Sequence, residues 1–256
     1  MSPRERISQA IRAAAAGGEP ALVAYLTAGY PQRDRFREQV RALAAGAEVV
    51  EIGVPFTDPM ADGVTIQRAS LAALAQGVSL EWILAELEQI RGVSVPLLLM
   101  SYLNPLLAFG LERLAHRAAR AGVAGFIVPD LPLEESSELR AALDAEQLAL
   151  VQMVTPVTEP ARLRQLCAGS QGFVYAVTMT GTTGKHVAVP DEVISYLDRV
   201  RASSPLPVCA GFGIRSREQV ERLRGHVDGV VIGSALVEVL ERGEDPTAWL
   251  RQLRFN

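Results

Sequence analysis

Short apolar runs alternate with amphipathic stretches along the whole chain. Residues 21–27, 47–52, 96–100, 125–128, 148–151, 172–177, 207–210 and 228–232 are apolar almost throughout. Such runs are too short for membrane spans, and a strand buried on both faces reads this way in a parallel sheet. Between them, apolar residues recur at helical spacing. This predicts helices over 3–16, where Ile7 and Ile11 share a face, and over 33–45, 65–75, 79–91, 110–121, 133–146, 159–168, 191–202, 216–224, 233–241 and 246–253. Gly17-Gly18, Gly46 and Gly77 act as stops, and Asn104-Pro105 and Pro129-Asp130-Leu131-Pro132 read as loop and turn.

Eight strands, each followed by helix, in 256 residues predict an α/β fold. The template is a single (β/α)8 TIM barrel over residues 1–256, with an extra N-terminal helix and a short helix after the eighth strand. An open doubly wound sheet is the alternative, but it does not normally need eight such even repeats. No linker or composition shift marks a second domain.

Composition narrows the function classes. A net charge of −4, with Arg scattered along helices, leaves no electrostatic footprint for nucleic acid. No apolar run approaches the roughly 18 residues of a membrane span, and the run 13–16 is too short for a signal peptide core. Cys167 and Cys209 are far apart and belong to no CxxC pair. The expectation is a reduced, cytoplasmic protein that binds neither nucleic acid nor membrane.

The most informative stretch is 51–63. Glu51 sits between Val50 and Ile52 in an apolar strand, and burying a charge unpaired is costly. A structural carboxylate satisfied by a neighbouring donor and a functional acid are about equally good accounts of it. The loop that follows carries Asp58 and Asp62, which the residues alone do not separate.

In a TIM barrel, function sits in the loops after the strands. The loop after the seventh strand holds Gly211-Phe212-Gly213, and Gly233-Ser234-Ala235 opens the helix after the eighth. Free N–H groups and the helix dipole favour an anion there, so this short helix is read as phosphate-binding. Tight turns alone are the competing account. Gly211-Phe212-Gly213 lacks the third glycine of a dinucleotide fingerprint. The Thr- and Gly-rich loop 178–189 is a lid candidate. Three histidines, His116, His186 and His226, cannot all converge on one face, so no metal site is expected. Lys185, the one lysine of the chain, lies in the lid candidate rather than a dry pocket, against a Schiff base. What remains is acid–base chemistry on a phosphate ester. Glu51, the more buried acid, would carry the raised pKa and the proton to give.

VEIGVPFTDPMADGVTIQRAS at residues 50–70 resembles the signature of the tryptophan synthase α subunit family. ALVAYLTAGYP at 21–31, LLLMSYLNPLLAFG at 97–110, FIVPDLPLEES at 126–136, the loop at 178–184, and GFGI with GSALV near the end fall in the same order and spacing. The pattern departs at Val64, Pro129 and 179–183. The resemblance implies retro-aldol cleavage of indole-3-glycerol phosphate to indole and glyceraldehyde 3-phosphate, without cofactor or metal. It implies Glu51 as general acid/base and Asp62 as partner of the indole N–H. Asp58 would belong to loop structure and subunit communication. It implies an indole pocket of Tyr25, Met100, Tyr102, Ile127, Met153 and Tyr175. Gly184, Phe212, Gly213, Gly233 and Ser234 would hold the phosphate, and Thr183 would close the lid onto Asp62. It further implies a pyridoxal-phosphate β subunit as partner in an α2β2 complex, contacted by the acid loop, by Asn104 and Pro105, and by residues 130–132. Three other readings stay open: a phosphosugar isomerase or Schiff-base aldolase, a non-catalytic activator of a β chain, and a stand-alone indole-releasing lyase.

Overall fold

A computed structural model describes residues 1–178, 189–211 and 213–255. Eight parallel strands close into a barrel in sequence order: β1 (Ala21–Thr27), β2 (Val49–Gly53), β3 (Leu97–Met100), β4 (Val123–Ile127), β5 (Ala149–Val154), β6 (Val174–Val177), β7 (Val208–Gly211) and β8 (Gly229–Ile232). Their side chains are buried almost without exception. One face fills the barrel and the other lies under the helices, which is why these runs are continuous rather than alternating. The expected TIM barrel is therefore what forms. Among the described residues, no helix is long and apolar enough to cross a membrane.

Register fixes which residues share the interior. Tyr25 pairs with Glu51, Glu51 with Leu98, and Leu98 with Gly125. On the other side Met153 pairs with Tyr175 and Tyr175 with Cys209. Residues at one register position in a parallel sheet point to one face, so Tyr25, Glu51, Met153 and Tyr175 all belong to the inner surface.

Helix α1 (Pro3–Ala16) begins with a capping box in which Ser2 and Glu5 satisfy each other's backbone N–H groups. Ile7 and Ile11 are fully buried, each contributing about 2 kcal/mol of hydrophobic stabilisation. The helix lies across the N-terminal end of the barrel. Arg6 and Arg12 donate to the carbonyls of Ser94 and Pro205, and Ser8 to that of Gly172.

The remaining helices are α2 (Phe36–Ala44), α3 (Val64–Ala75), α4 (Leu80–Glu88), α5 (Leu103–Phe109), α6 (Leu111–Arg120), α7 (Ser137–Ala145), α8 (Pro160–Gly169), α9 (Asp191–Ser203), α10 (Arg217–Leu223), α11 (Ser234–Glu241) and α12 (Pro246–Gln252). The loop expected around Asn104-Pro105 is instead helix α5. Pro105 falls in the first turn, whose N–H groups have no intrahelical partner, so proline costs no hydrogen bond there. Asp130 Oδ1 accepts from Leu103 N at 2.9 Å and caps that turn from the neighbouring loop. The predicted helix 133–146 divides into a 3-10 turn, Leu133–Glu135, and α7. Strand β5 runs three residues beyond its predicted end at 151.

Candidate active site

Glu51 is 1 % exposed, at the third position of β2. Among the described residues its Oε2 has no hydrogen-bond partner, so that oxygen lacks the neighbouring donor a structural carboxylate would have. Burial, and secondarily the charge of Asp62, raises its pKa to about 8. Asp62 is raised less, to about 6, by burial opposed by a hydrogen bond from Tyr102. Near neutrality Glu51 therefore holds a proton while Asp62 is mostly ionised. Desolvation disfavours the charged form most where water is least available, and two carboxyls in unequal surroundings divide into an acid and a base.

Both acids line one cavity at the C-terminal ends of the strands. Tyr25, Met100, Tyr175, Gly213, Gly233 and Ser234 line it too. Its volume is about 50 Å³. The acid loop that brings Asp62 there is pinned from two sides. Ala61 N donates to Tyr102 Oη at 2.9 Å, and Gln67 Nε2 donates to the Asp62 carbonyl at 2.9 Å. The ring of Phe56 stacks on Tyr102 with centroids 5.3 Å apart. Asp58, in contrast, is exposed and accepts from the adjacent Thr57 hydroxyl. The fold thus separates the two loop acids, as the resemblance implies and the residues alone do not.

The tyrosines fit because glycines lie beneath them. A Cβ on Gly53 would stand 2.1 Å from Tyr25 Oη, and one on Gly211 2.4 Å from Tyr175 Oη. Burial raises the pKa of both phenols well above the usual tyrosine range, so they stay neutral in the cavity wall. At the opposite end, Gly213 has φ +87°, a conformation that favours glycine.

The structure brings together most of the sequence-predicted site, with differences. Tyr102 is not among the residues that line this cavity, and its hydroxyl accepts from Ala61 N and donates to Asp62 of the acid loop. Ile127, the register partner of Met100, is fully buried and is not among the residues that line the cavity. Met153 lines a separate cavity with Pro129, Asp130 and Arg162. Thr183, Gly184 and Phe212, together with Lys185 and His186, lie outside the described residues. Of the other histidines, His116 is 3.3 Å from Glu146 and His226 is 2.7 Å from Asp198. Gly63, Thr65, Ile66, Ile214 and Val231 also line the cavity. Their one signal in the sequence was adjacency to the acid loop, to Gly213 or to Gly233.

Two carboxyls of raised pKa lining one cavity at the mouth of a (β/α)8 barrel place the chain among the barrel enzymes. A family model described as "Tryptophan synthase alpha chain" matches residues 11–255. The tryptophan synthase alpha chain of Nitratidesulfovibrio vulgaris is 45% identical over 248 residues, covering 96% of each chain. That of Carboxydothermus hydrogenoformans is 44% identical over 92% of this chain and 89% of its own. Among solved structures, tryptophan synthase from Mycobacterium tuberculosis superposes with a TM-score of 0.88 at 36% identity, covering 97% of this chain and 96% of that one. Tryptophan synthase subunit alpha from Legionella pneumophila gives 0.85 at 30%, covering 97% and 95%. The chain belongs to the tryptophan synthase α chain family. It is a carbon–carbon lyase of tryptophan biosynthesis.

Proposed function

We propose that Glu51 and Asp62 together cleave indole-3-glycerol phosphate to indole and glyceraldehyde 3-phosphate. The observation that carries this is the buried Glu51 carboxyl, whose Oε2 has no partner among the described residues, sharing a cavity with Asp62 and with Gly213 and Gly233 after β7 and β8. Glu51 gives its proton to C3 of the indole, and Asp62 accepts the indole N–H and stabilises the resulting cation. Glu51, now a carboxylate, takes the proton from the glycerol hydroxyl next to the ring. The bond from C3 to that carbon then breaks, its electron pair restores the aromatic ring, and the carbonyl of the aldehyde forms. The ring would lie among Tyr25, Met100 and Tyr175. The phosphate would lie at Gly213, Gly233 and Ser234, where the N-terminus of α11 favours an anion.

A cavity of about 50 Å³ is well below the ~300 Å³ at which small-molecule sites begin. The cavity must therefore widen for the substrate to bind. The acid loop also presents Met60 at 84% exposure, Val64 at the start of α3 is 76% exposed, and Leu107 of α5 is exposed close in sequence to Asn104. Exposed apolar residues of this kind suit a partner surface, and the family points to a β subunit in an α2β2 complex that receives the indole. The setting would be the cytoplasm.

An indole-release assay on the wild type, Glu51→Gln and Asp62→Asn tests the assignment. Both variants should lose at least about a hundredfold in kcat, the scale of a removed proton-transfer group. Equal activity in all three would overturn it.

A further inference from the structure

Behind the wall of the cavity, two charged side chains are joined across its phosphate end. Arg215 directly follows Gly213 and Ile214, both of which line the cavity. Its guanidinium pairs with Glu238, and the two side chains are 27% and 29% exposed. Glu238 lies on α11, whose first residue, Ser234, also lines the cavity. The other carboxylate oxygen of Glu238 accepts from the hydroxyl of Thr65 at 3.4 Å, and Thr65 is itself a lining residue. Glu238 thus stands one hydrogen bond behind the wall.

The loop that presents Arg215 is held firmly. Gln219 Oε1 accepts from Arg215 N at 2.7 Å and from Ser216 N at 3.2 Å, and its Nε2 donates to the Gly213 carbonyl at 3.3 Å. A second rung joins the same two helices one turn further on, Arg68 of α3 to Glu241 of α11 at 2.5 Å. The pair therefore links three elements around the cavity: the start of α3 after Asp62, the loop after β7, and α11.

The charges have opposite consequences for an anion. A helix N-terminus offers about half a positive charge. An uncompensated carboxylate on the second turn of the same helix would offset much of that attraction. Arg215 removes this penalty, while Glu238 keeps the guanidinium engaged behind the wall.

We propose that Arg215 and Glu238 are a charge-compensating pair of positioning residues that sets the affinity of the site for the substrate phosphate. This rests on the reading of Gly213, Gly233 and Ser234 as the phosphate end. Losing one partner is not equivalent to losing the other. Without Arg215, Glu238 repels the phosphate. Without Glu238, Arg215 adds an unpaired positive charge two residues from Gly213.

The test uses the full chain, with KM and kcat for indole-3-glycerol phosphate and inhibition by inorganic phosphate as readouts. Arg215→Gln should raise KM and the phosphate inhibition constant about fivefold, the scale of one unit charge acting over some 10 Å, with kcat changed less than about twofold. Glu238→Gln should lower both constants or leave them unchanged. The double variant should return to within about twofold of the wild type, and all differences should shrink in about 0.5 M salt. If both single variants weaken phosphate binding and the double variant is no better, the pair is only a mechanical tie and the proposal fails. Ser234→Asp separates the two readings. If it leaves phosphate inhibition unchanged, the phosphate end itself is misplaced. If it abolishes inhibition while Arg215→Gln has no effect, the charge-compensation proposal alone falls.

Discussion

The phenol of Tyr25 occupies the space that any side chain at Gly53 would need. A Cβ there would stand 2.1 Å from its Oη, 2.6 Å from Cζ and 2.8 Å from Cε2. Gly53 ends the strand that carries Glu51, and Tyr25 is the register partner of Glu51 on β1. The glycine is thus the floor on which one wall of the cavity rests.

Gly53→Ala should displace the Tyr25 ring toward Glu51 and cost about 1–3 kcal/mol, as overpacking does in a closed core. Tyr25→Phe in the same chain should restore little, because Cζ and Cε2 still clash. Urea denaturation of the single and double variants reads this directly. Full recovery in the double variant would show that the hydroxyl alone fills the space.

Folding raises the Glu51 pKa from 4.5 to about 8. Between those values the native state holds a proton that the unfolded chain has released. Stability is therefore lost as pH rises through this window and is level beyond either end of it. Each unit of such a shift corresponds to about 1.4 kcal/mol. Glu51→Gln cannot ionise, so it should be more stable than the wild type by a few kcal/mol above pH ~8, with the gap closing toward pH ~4.5. Thermal midpoints should differ by several degrees on the alkaline side, at about 2–4 °C per kcal/mol for a chain of this size. Midpoints whose difference stays constant from pH 4.5 to 9 would mean that Glu51 ionises normally in the fold.

The proposed mechanism needs Glu51 protonated and Asp62 ionised, so kcat/KM should rise through a pH of about 6 and fall through about 8. Tyr102→Phe removes the hydrogen bond that lowers the Asp62 pKa and the acceptor for Ala61 N. The acidic limb should then move to higher pH, with about 1 kcal/mol of stability lost. A limb that stays in place while activity falls would place Tyr102 in contact with the ring of the substrate rather than with the loop acid.

Much of this fold was legible because each strand is an unbroken apolar run and each helix keeps its period. Asn104-Pro105 misled because a turn signal and a first-turn proline look alike without the fold. Strand β5 continues past its predicted end because Gln152, a polar residue, is buried there and its N–H is taken by Ser170 Oγ. Glu51 stood out as a charge with no visible reason to be buried. Without the resemblance Asp62 and Asp58 could not be told apart, because what separates them is Tyr102, some 40 residues further along the chain. The contribution of Thr65 was hidden for the same reason, since Glu238 meets it across 173 positions.

Helix α1 has a consequence in time. It is synthesised before every strand of the barrel, yet the carbonyls that fasten it belong to Ser94, Gly172 and Pro205. During synthesis it must wait, with Ile7 and Ile11 unburied, until most of the barrel has emerged. Contacts so distant in sequence close late, because their loops are entropically expensive before other structure supports them. A helix made before the barrel is thus among the last elements to dock.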